Sequence, residues 1–236
     1  MTADRALSFG ARAELYDRLR PGYPPAAVAA LAPEAGTVVD VGAGTGKLTA
    51  ALLERGLTVV AVEPDAAMRA VLAARHPAAD VRAGTGEALP VADGGARAVL
   101  YAQSWHWVDG PRAAAEALRV LRPGGRLGMI GNVHDESVPW VREMVRICDV
   151  VGTGRDQPPP PLTGFGPPHG GAVRWAHRMR RDEVVELATT WSPVAALPEP
   201  GPVLGELADL LRTVPGEDGW IDVPYVCTVH HYKALG

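Results

Sequence analysis

Three glycines at alternate positions, Gly42, Gly44 and Gly46, follow the apolar residues Val38 and Val39 and an aspartate, Asp40. Glycine has no Cβ, so such a loop turns sharply and lets a ligand lie against the main chain. The helical segment after it, from Lys47, offers unpaired N–H groups and a positive dipole end. This chemistry suits a nucleotide-type cofactor. A second acid, Glu63, ends the β-branched run Leu57-Thr58-Val59-Val60-Ala61-Val62 and is placed to accept the two hydroxyls of a ribose. The plainer reading of Glu63 is a solvated strand end, or part of a cap for a helix starting near Asp65. Two imidazoles, His106 and His134, follow later apolar runs and are the candidate general bases, because an unperturbed histidine titrates near neutrality.

Spacing narrows the cofactor. A dinucleotide fingerprint needs G-x-G-x-x-G, but the third glycine position is held by Lys47. A phosphate P-loop needs G-x-x-x-x-G-K-[ST]; Gly42 to Lys47 is one residue short, and Leu48 stands where the hydroxyl belongs. The elements that must position these groups alternate. Apolar runs at 38–41, 57–62, 80–83 and 98–102 read as strands, separated by helical stretches, which predicts a parallel sheet with right-handed crossovers. In such a sheet, ligands sit beyond the carboxyl ends of the strands.

Asp40 with G-x-G-x-G resembles motif I of the class I S-adenosylmethionine (SAM) methyltransferases. Three further segments are similar to that group in order. Gly84-Thr85-Gly86-Glu87-Ala88-Leu89-Pro90 resembles its G-D-A-E-x-L-P segment, with Thr85 and Gly86 as departures. Ala102-Gln103-Ser104-Trp105-His106-Trp107-Val108-Asp109 is similar to the A-Q-x-x-H-W-x-D segment of the trans-aconitate and ubiquinone/menaquinone methyltransferases. Leu121-Arg122-Pro123-Gly124-Gly125-Arg126-Leu127 matches a structural turn before strand 5. The resemblance implies a seven-stranded, mostly parallel Rossmann-like α/β sheet with an antiparallel last strand and helices on both faces. It implies SAM as cofactor and S-adenosylhomocysteine (SAH) as product. It places Asp40, Gly42, Ala43, Gly44, Thr45, Gly46, Glu63, Pro64, Met68, Thr85, Gly86, Glu87, Gln103, Ser104 and Trp107 against the cofactor. His106 is either a base or a residue that orients its loop.

The segment Phe9 to Pro24, with its Tyr and R-P-x-Y-P elements, resembles the group's amino-terminal signature, so Tyr16, Arg20 and Tyr23 are expected to touch or close over the cofactor, with Arg20 facing the methionyl carboxylate. The alternative is a surface helix ended by Pro21. The resemblance divides one methyltransferase domain into amino-terminal cap helices (1–33), a cofactor core (37–135) and a substrate side (136–236). Asn132 and His134 are expected at the strand tip that ends the core, and the last part is expected to hold a helix over 138–151 and a Gly/Pro-rich loop over 152–171 that is either a lid or structureless. Strand 6 is expected at 172–179, with a densest basic patch of Arg174, Arg178, Arg180 and Arg181. The last strand is expected at 223–231, with Pro224 fitting a strand start or edge.

The chain has 236 residues, a net charge of −4 and 47% hydrophobic residues, which is globular composition. No long basic tract supports nucleic-acid binding. No apolar run spans a membrane and no metal-ligand spacing occurs, so neither a membrane nor a metal is expected. Cys148 and Cys227 lie in apolar surroundings and read as reduced core residues. The expected protein is cytoplasmic, a monomer or homodimer, and transfers a methyl group to a small-molecule acceptor. A SAM-fold enzyme of other chemistry and a non-catalytic SAM/SAH-binding module are the alternatives.

Overall fold

The structure, a computed structural model, describes residues 13–150 and 161–235. Two helices, α1 (Ala13–Leu19) and α2 (Pro25–Leu31), precede the sheet. Then β1 (Thr37–Val41), α3 (Lys47–Glu54), β2 (Thr58–Val62), α4 (Ala66–Arg75) and β3 (Asp80–Arg82) alternate, followed by β4 (Ala96–Ala102), α5 (Gly110–Val120) and β5 (Leu121–His134). The carboxy-terminal part holds α6 (Pro139–Ile147), β6 (His169–Arg180), α7 (Arg181–Ala188), α8 (Ser192–Ala195), α9 (Gly201–Thr213) and β7 (Trp220–Lys233).

The strands form one seven-stranded sheet in the order β3-β2-β1-β4-β5-β7-β6. All neighbours are parallel except β7, which runs antiparallel to both β5 and β6. The buried, β-branched β1 and β2 are central strands, as covered parallel strands require. The chain leaves β1 toward β2 on one side and returns to β4 on the other. That reversal leaves a crevice at the carboxyl ends of β1 and β4. Helix starts are fixed locally: Asp65 caps α4 by accepting from Ala67 N and Met68 N, and Asp109 caps α5 by accepting from Arg112 N.

Several boundaries differ from the sequence reading. Pro123-Gly124-Gly125 does not open strand 5; it bulges out of it. Ala96 pairs with Leu121 and Ala98 with Arg126, so residues 122–125 loop out between two paired positions. The 138–151 helix is confined to Pro139–Ile147. Residues 161–171 are not structureless: Leu162 and Phe165 are buried, Phe165 bridges Ala234, and β6 already begins at His169. Residues 152–160 of that expected loop lie outside the described residues. The last strand is interior rather than an edge. Pro224 is tolerated there because Asp135 N donates to its carbonyl, while the proline ring has no N–H to return the bond, and β5 stops at that point.

Candidate cofactor site and active site

Beyond β1 the chain reverses through Gly42, Gly44 and Gly46, with φ of +65°, +58° and +96°. These glycines do different things. A Cβ at Gly42 would lie 2.6 Å from Cβ of Ser104, whose hydroxyl donates to the Val41 carbonyl at 2.5 Å. Gly42 is therefore where the β1 loop packs on the β4 loop. A Cβ at Gly46 would lie 2.6 Å from Cδ2 of His76. A Cβ at Gly44 meets nothing within 4 Å. Gly44 borders open space, and its N–H donates to Oε2 of Glu63 at 2.9 Å.

Glu63 is buried and held by two backbone donors, since Asp65 N gives a 2.9 Å bond to Oε1. Each carboxylate oxygen keeps further acceptor capacity. Burial raises the Glu63 carboxyl above its ordinary range, and the backbone bonds from Asp65 and Gly44 oppose this. Asp40 is fully buried on β1. Thr49 Oγ1 donates to its Oδ2 at 2.7 Å, while Oδ1 has no hydrogen-bond partner among the described residues. Desolvation pushes the Asp40 carboxyl up to about 7; the Thr49 bond opposes it and the Glu63 charge adds to it. Thr45 Oγ1 and the Tyr101 hydroxyl are also buried without a partner among the described residues. Orphaned buried polar atoms at one loop are unusual and ask for a ligand or water.

Around the loop, Ala43 N donates to the Val62 carbonyl, and Pro64 is exposed with its carbonyl accepting from Arg69. Met68 is buried under the second strand's tip. After β3, a Cβ at Gly86 would come 2.7 Å from Val108 and 3.3 Å from the Tyr101 ring, so only glycine fits between them. Thr85 bridges Ala88, and Glu87 Oε1 accepts from Asp109 N at 2.8 Å, which ties this turn to the start of α5. At the β4 tip, Gln103 takes φ +53° and donates to the Asn132 carbonyl. The next residues form a 3₁₀ turn, Trp105–Trp107, in which His106 is exposed and its ring lies 4.7 Å from that of half-buried Trp107.

The amino-terminal segment bridges two halves of the molecule. Asp17, buried on α1, pairs with Arg75 at 2.8 Å and with Lys47 at 3.8 Å. The neighbouring Arg18 pairs with Glu186 of α7 at 2.7 Å, and Arg20 donates to the Thr190 carbonyl at 3.2 Å. The Tyr16 side chain lies outside the described residues. Asn132 is not open to solvent: its amide donates to the Gly22 carbonyl and accepts from Trp175. His134 is wedged between Trp191 and Tyr225, ring centroids 5.1 and 4.9 Å away.

β6 and β7 stay paired to Arg180↔Trp220, well past the last β5 pair, His134↔Tyr225. The two strands thus project as an arm beyond the carboxyl edge of the sheet. One face of the arm carries Trp175, His177 and Met179 opposite Tyr225, Val223 and Ile221; the other is exposed and carries Arg174, Arg178 and Arg180. The inward aromatic face was visible in the alternation of β6, yet the sequence reading weighed only its arginines. Those arginines are largely occupied. Arg174 pairs with Asp135, Arg180 with Asp182, and Arg181 bonds the Leu211 and Val214 carbonyls.

A doubly wound sheet with a glycine turn and an acid at the tips of β1 and β2 defines a class of nucleotide-cofactor α/β protein. The comparisons with known proteins supply the family. The methyltransferase domain model matches residues 39–129. An uncharacterized methyltransferase of Mycobacterium tuberculosis is 52% identical over 157 residues, which are 66% of this chain and 63% of the relative, so the match spans less than two thirds of that protein's length. An uncharacterized methyltransferase-like protein of Schizosaccharomyces pombe is 31% identical over 218 residues, covering 85% of this chain and 84% of the relative. A solved structure of a candidate type II methyltransferase from Anaeromyxobacter dehalogenans is 27% identical, with a TM-score of 0.59 over 91% of this chain and 97% of that one. The chain belongs to the class I SAM-dependent methyltransferases.

Proposed function

We propose that this chain transfers the methyl group of SAM to a small-molecule acceptor held at the tips of β4 and β5. The observation that carries this reading is the pairing of Gly44 with Glu63. Gly44 faces open space, and its N–H helps fix a buried carboxylate that still has lone pairs to accept ribose hydroxyls. Gly42, Ala43, Thr45 and Gly46 set the loop under the amino-acid end of the cofactor, with Asp40 beneath them. Pro64 and Met68 border the ribose side. The turn of Thr85, Gly86 and Glu87 backs the adenine, while Gln103, Ser104 and Trp107 close the β4 edge. Tyr16 and Arg20 belong to the segment that covers the site.

When bound, SAM supplies a methyl group already made electrophilic by the sulfonium. The protein's task is then alignment of donor and acceptor and exclusion of water, which together can supply much of the rate. The arm's inward face is itself part of the core, since Met179, Ile221, Val223 and Tyr225 pack with Val141, Met144, Leu187 and Leu207. His106 and His134 remain the imidazoles nearest the β4 and β5 tips in sequence, the first exposed and the second enclosed by aromatic rings.

The test is methyl transfer itself. With methyl-labelled SAM and a panel of small phenols, acids, amines and thiols, label is expected to appear in a small product with an equal amount of SAH. Glu63→Ala is expected to weaken SAH binding at least about tenfold, a loss of about 1.4 kcal/mol. Label passing only to protein or nucleic acid would overturn the small-molecule reading, and tight SAH binding without any turnover would favour a binding module.

A further inference from the structure

A groove of about 900 Å³ lies between α1, the start of α3 and the second half of α4, a volume in the range of small-molecule sites. Leu15 of α1 and Val71 and Ala74 of α4 line it with apolar surface. Its charge is unbalanced. Asp17 is the one carboxylate among its described lining residues, and two cations share it. Arg75 meets Asp17 through Nε at 2.8 Å, and its guanidinium has no other partner among the described residues. Lys47 stands 3.8 Å from the same carboxylate, beyond hydrogen-bond reach. Its ammonium makes no hydrogen bond among the described residues, although its side chain is only 30% exposed. Burial lowers the Lys47 pKa, and Asp17 opposes this only in part. The third cation, Arg18, is already taken by Glu186 at 2.7 Å and Glu183 at 4.0 Å.

We propose that this groove binds a small organic anion, its carboxylate or phosphate on Lys47 and Arg75 and its apolar body against Leu15, Val71 and Ala74. A half-buried ammonium with three unused donors is costly unless an acceptor reaches it, and Asp17 does not. An oxyanion between Lys47 and Arg75 supplies that acceptor, and the guanidinium fork suits either acid group. The apolar walls favour an organic body over a bare inorganic ion. The ligand is distinct from the methyl acceptor, because the groove is walled by α1, α3 and α4 and not by the tips of β4 and β5. The inference goes beyond the methyltransferase reading and stands without it. Where the two meet is at Lys47, which directly follows Gly46, and at α1, which Asp17 ties to Lys47 and Arg75. A ligand seated there strengthens the link between α1 and the glycine turn, so it is expected to slow release of the cofactor product, and any coupling in affinity is reciprocal.

NMR titration of the full chain tests this, with octanoate and phenyl phosphate as probes and octanamide and phenol as their uncharged counterparts. Both anions are expected to shift the backbone amide signals of Leu15, Val71 and Ala74 in a saturable way, with the uncharged compounds at least about tenfold weaker. The double variant Lys47→Gln, Arg75→Gln is expected to lose at least about tenfold in affinity for both anions. Val71→Glu keeps both cations but puts a carboxylate in the groove, and it should lose as much; it carries the test if the double variant does not fold. With SAH bound, either anion should still bind and should slow SAH release several-fold. No saturable shift at the groove, equal binding of the uncharged compounds, or wild-type affinity in the folded variants would overturn the proposal. Displacement of the anion by SAH would also overturn it, since the groove would then be part of the cofactor site. An unchanged rate of SAH release would overturn the coupling. If SAH itself does not bind, the cofactor assignment fails, while the titration without SAH still decides the groove.

Discussion

Asp40 is the single buried side chain that says most about the site. Its carboxyl is fully enclosed, one oxygen held by Thr49 and the other without a partner among the described residues. With the pKa raised from 3.8 to about 7, the folded protein binds a proton that the unfolded chain has released across that window. The associated stability is therefore complete below about pH 4 and lost as pH rises through about 7. Asp40→Asn, neutral at every pH, is expected to flatten the fall in melting temperature of the ligand-free protein between pH 5 and 8; an unchanged slope would show that Asp40 does not titrate there. Thr49→Val removes the hydroxyl bonded to Asp40 and is expected to cost about 1–3 kcal/mol in urea unfolding. The glycines separate by the same reasoning. Gly42→Ala drives a Cβ to 2.6 Å from the Ser104 side chain and should lower stability sharply, whereas Gly44→Ala enters open space. The Gly44 variant bears only the strain of its positive φ, on the order of 1 kcal/mol, but should lose SAH affinity. Sequence spacing identified all three glycines; it did not distinguish them, because which one packs and which one faces space depends on Ser104 and His76, residues 62 and 30 positions further along the chain.

Among the elements, those whose form is set by local signals were legible and those set by distant partners were not. The β-branched runs of β1 and β2 and the Asp65 and Asp109 caps carry their own structural signals. The bulge at 122–125 does not, since it arises from a pairing jump against Ala96 and Ala98. Nor does the order of 161–171, where Leu162 and Phe165 are buried in the core beside Tyr232. The strap formed by α1 is another product of distant contacts. Asp17 joins it to Lys47 and Arg75 on the cofactor side, and Arg18 joins it to Glu186 on the arm side. Arg75 is largely exposed, so Asp17→Ala is expected to cost only about 1 kcal/mol of global stability. Its larger effect should fall on kinetics: SAH is expected to leave the variant several-fold faster in stopped-flow exchange. An unchanged off-rate would show that the strap does not gate the site.

For the whole molecule, the strand order is what gathers the separate motifs. The strand order reverses at β1 and its parallel neighbour β4, so Asp40, the glycine turn, Glu63, Gly86 and the 103–107 turn converge on one crevice although they span more than 60 residues of chain. That convergence was readable because each motif sits at the end of its own strand. The partners of the β6–β7 arm were not readable, because Trp175 and Tyr225 have no motif and reach the core of α6, α7 and α9 only through pairing of β6 with β7. Among the described residues no helix is long and apolar enough to cross a membrane, and both cysteines are free and buried. The central claim is that the cofactor lies in the β1–β4 crevice with its ribose on Glu63. A crystal structure of the protein with SAH tests it most directly. The account predicts both ribose hydroxyls within hydrogen-bond distance of the Glu63 carboxylate, the chain of SAH crossing Gly44, and the sulfur turned toward the tips of β4 and β5. SAH bound elsewhere, or in the crevice with Glu63 out of reach of the ribose, would contradict it.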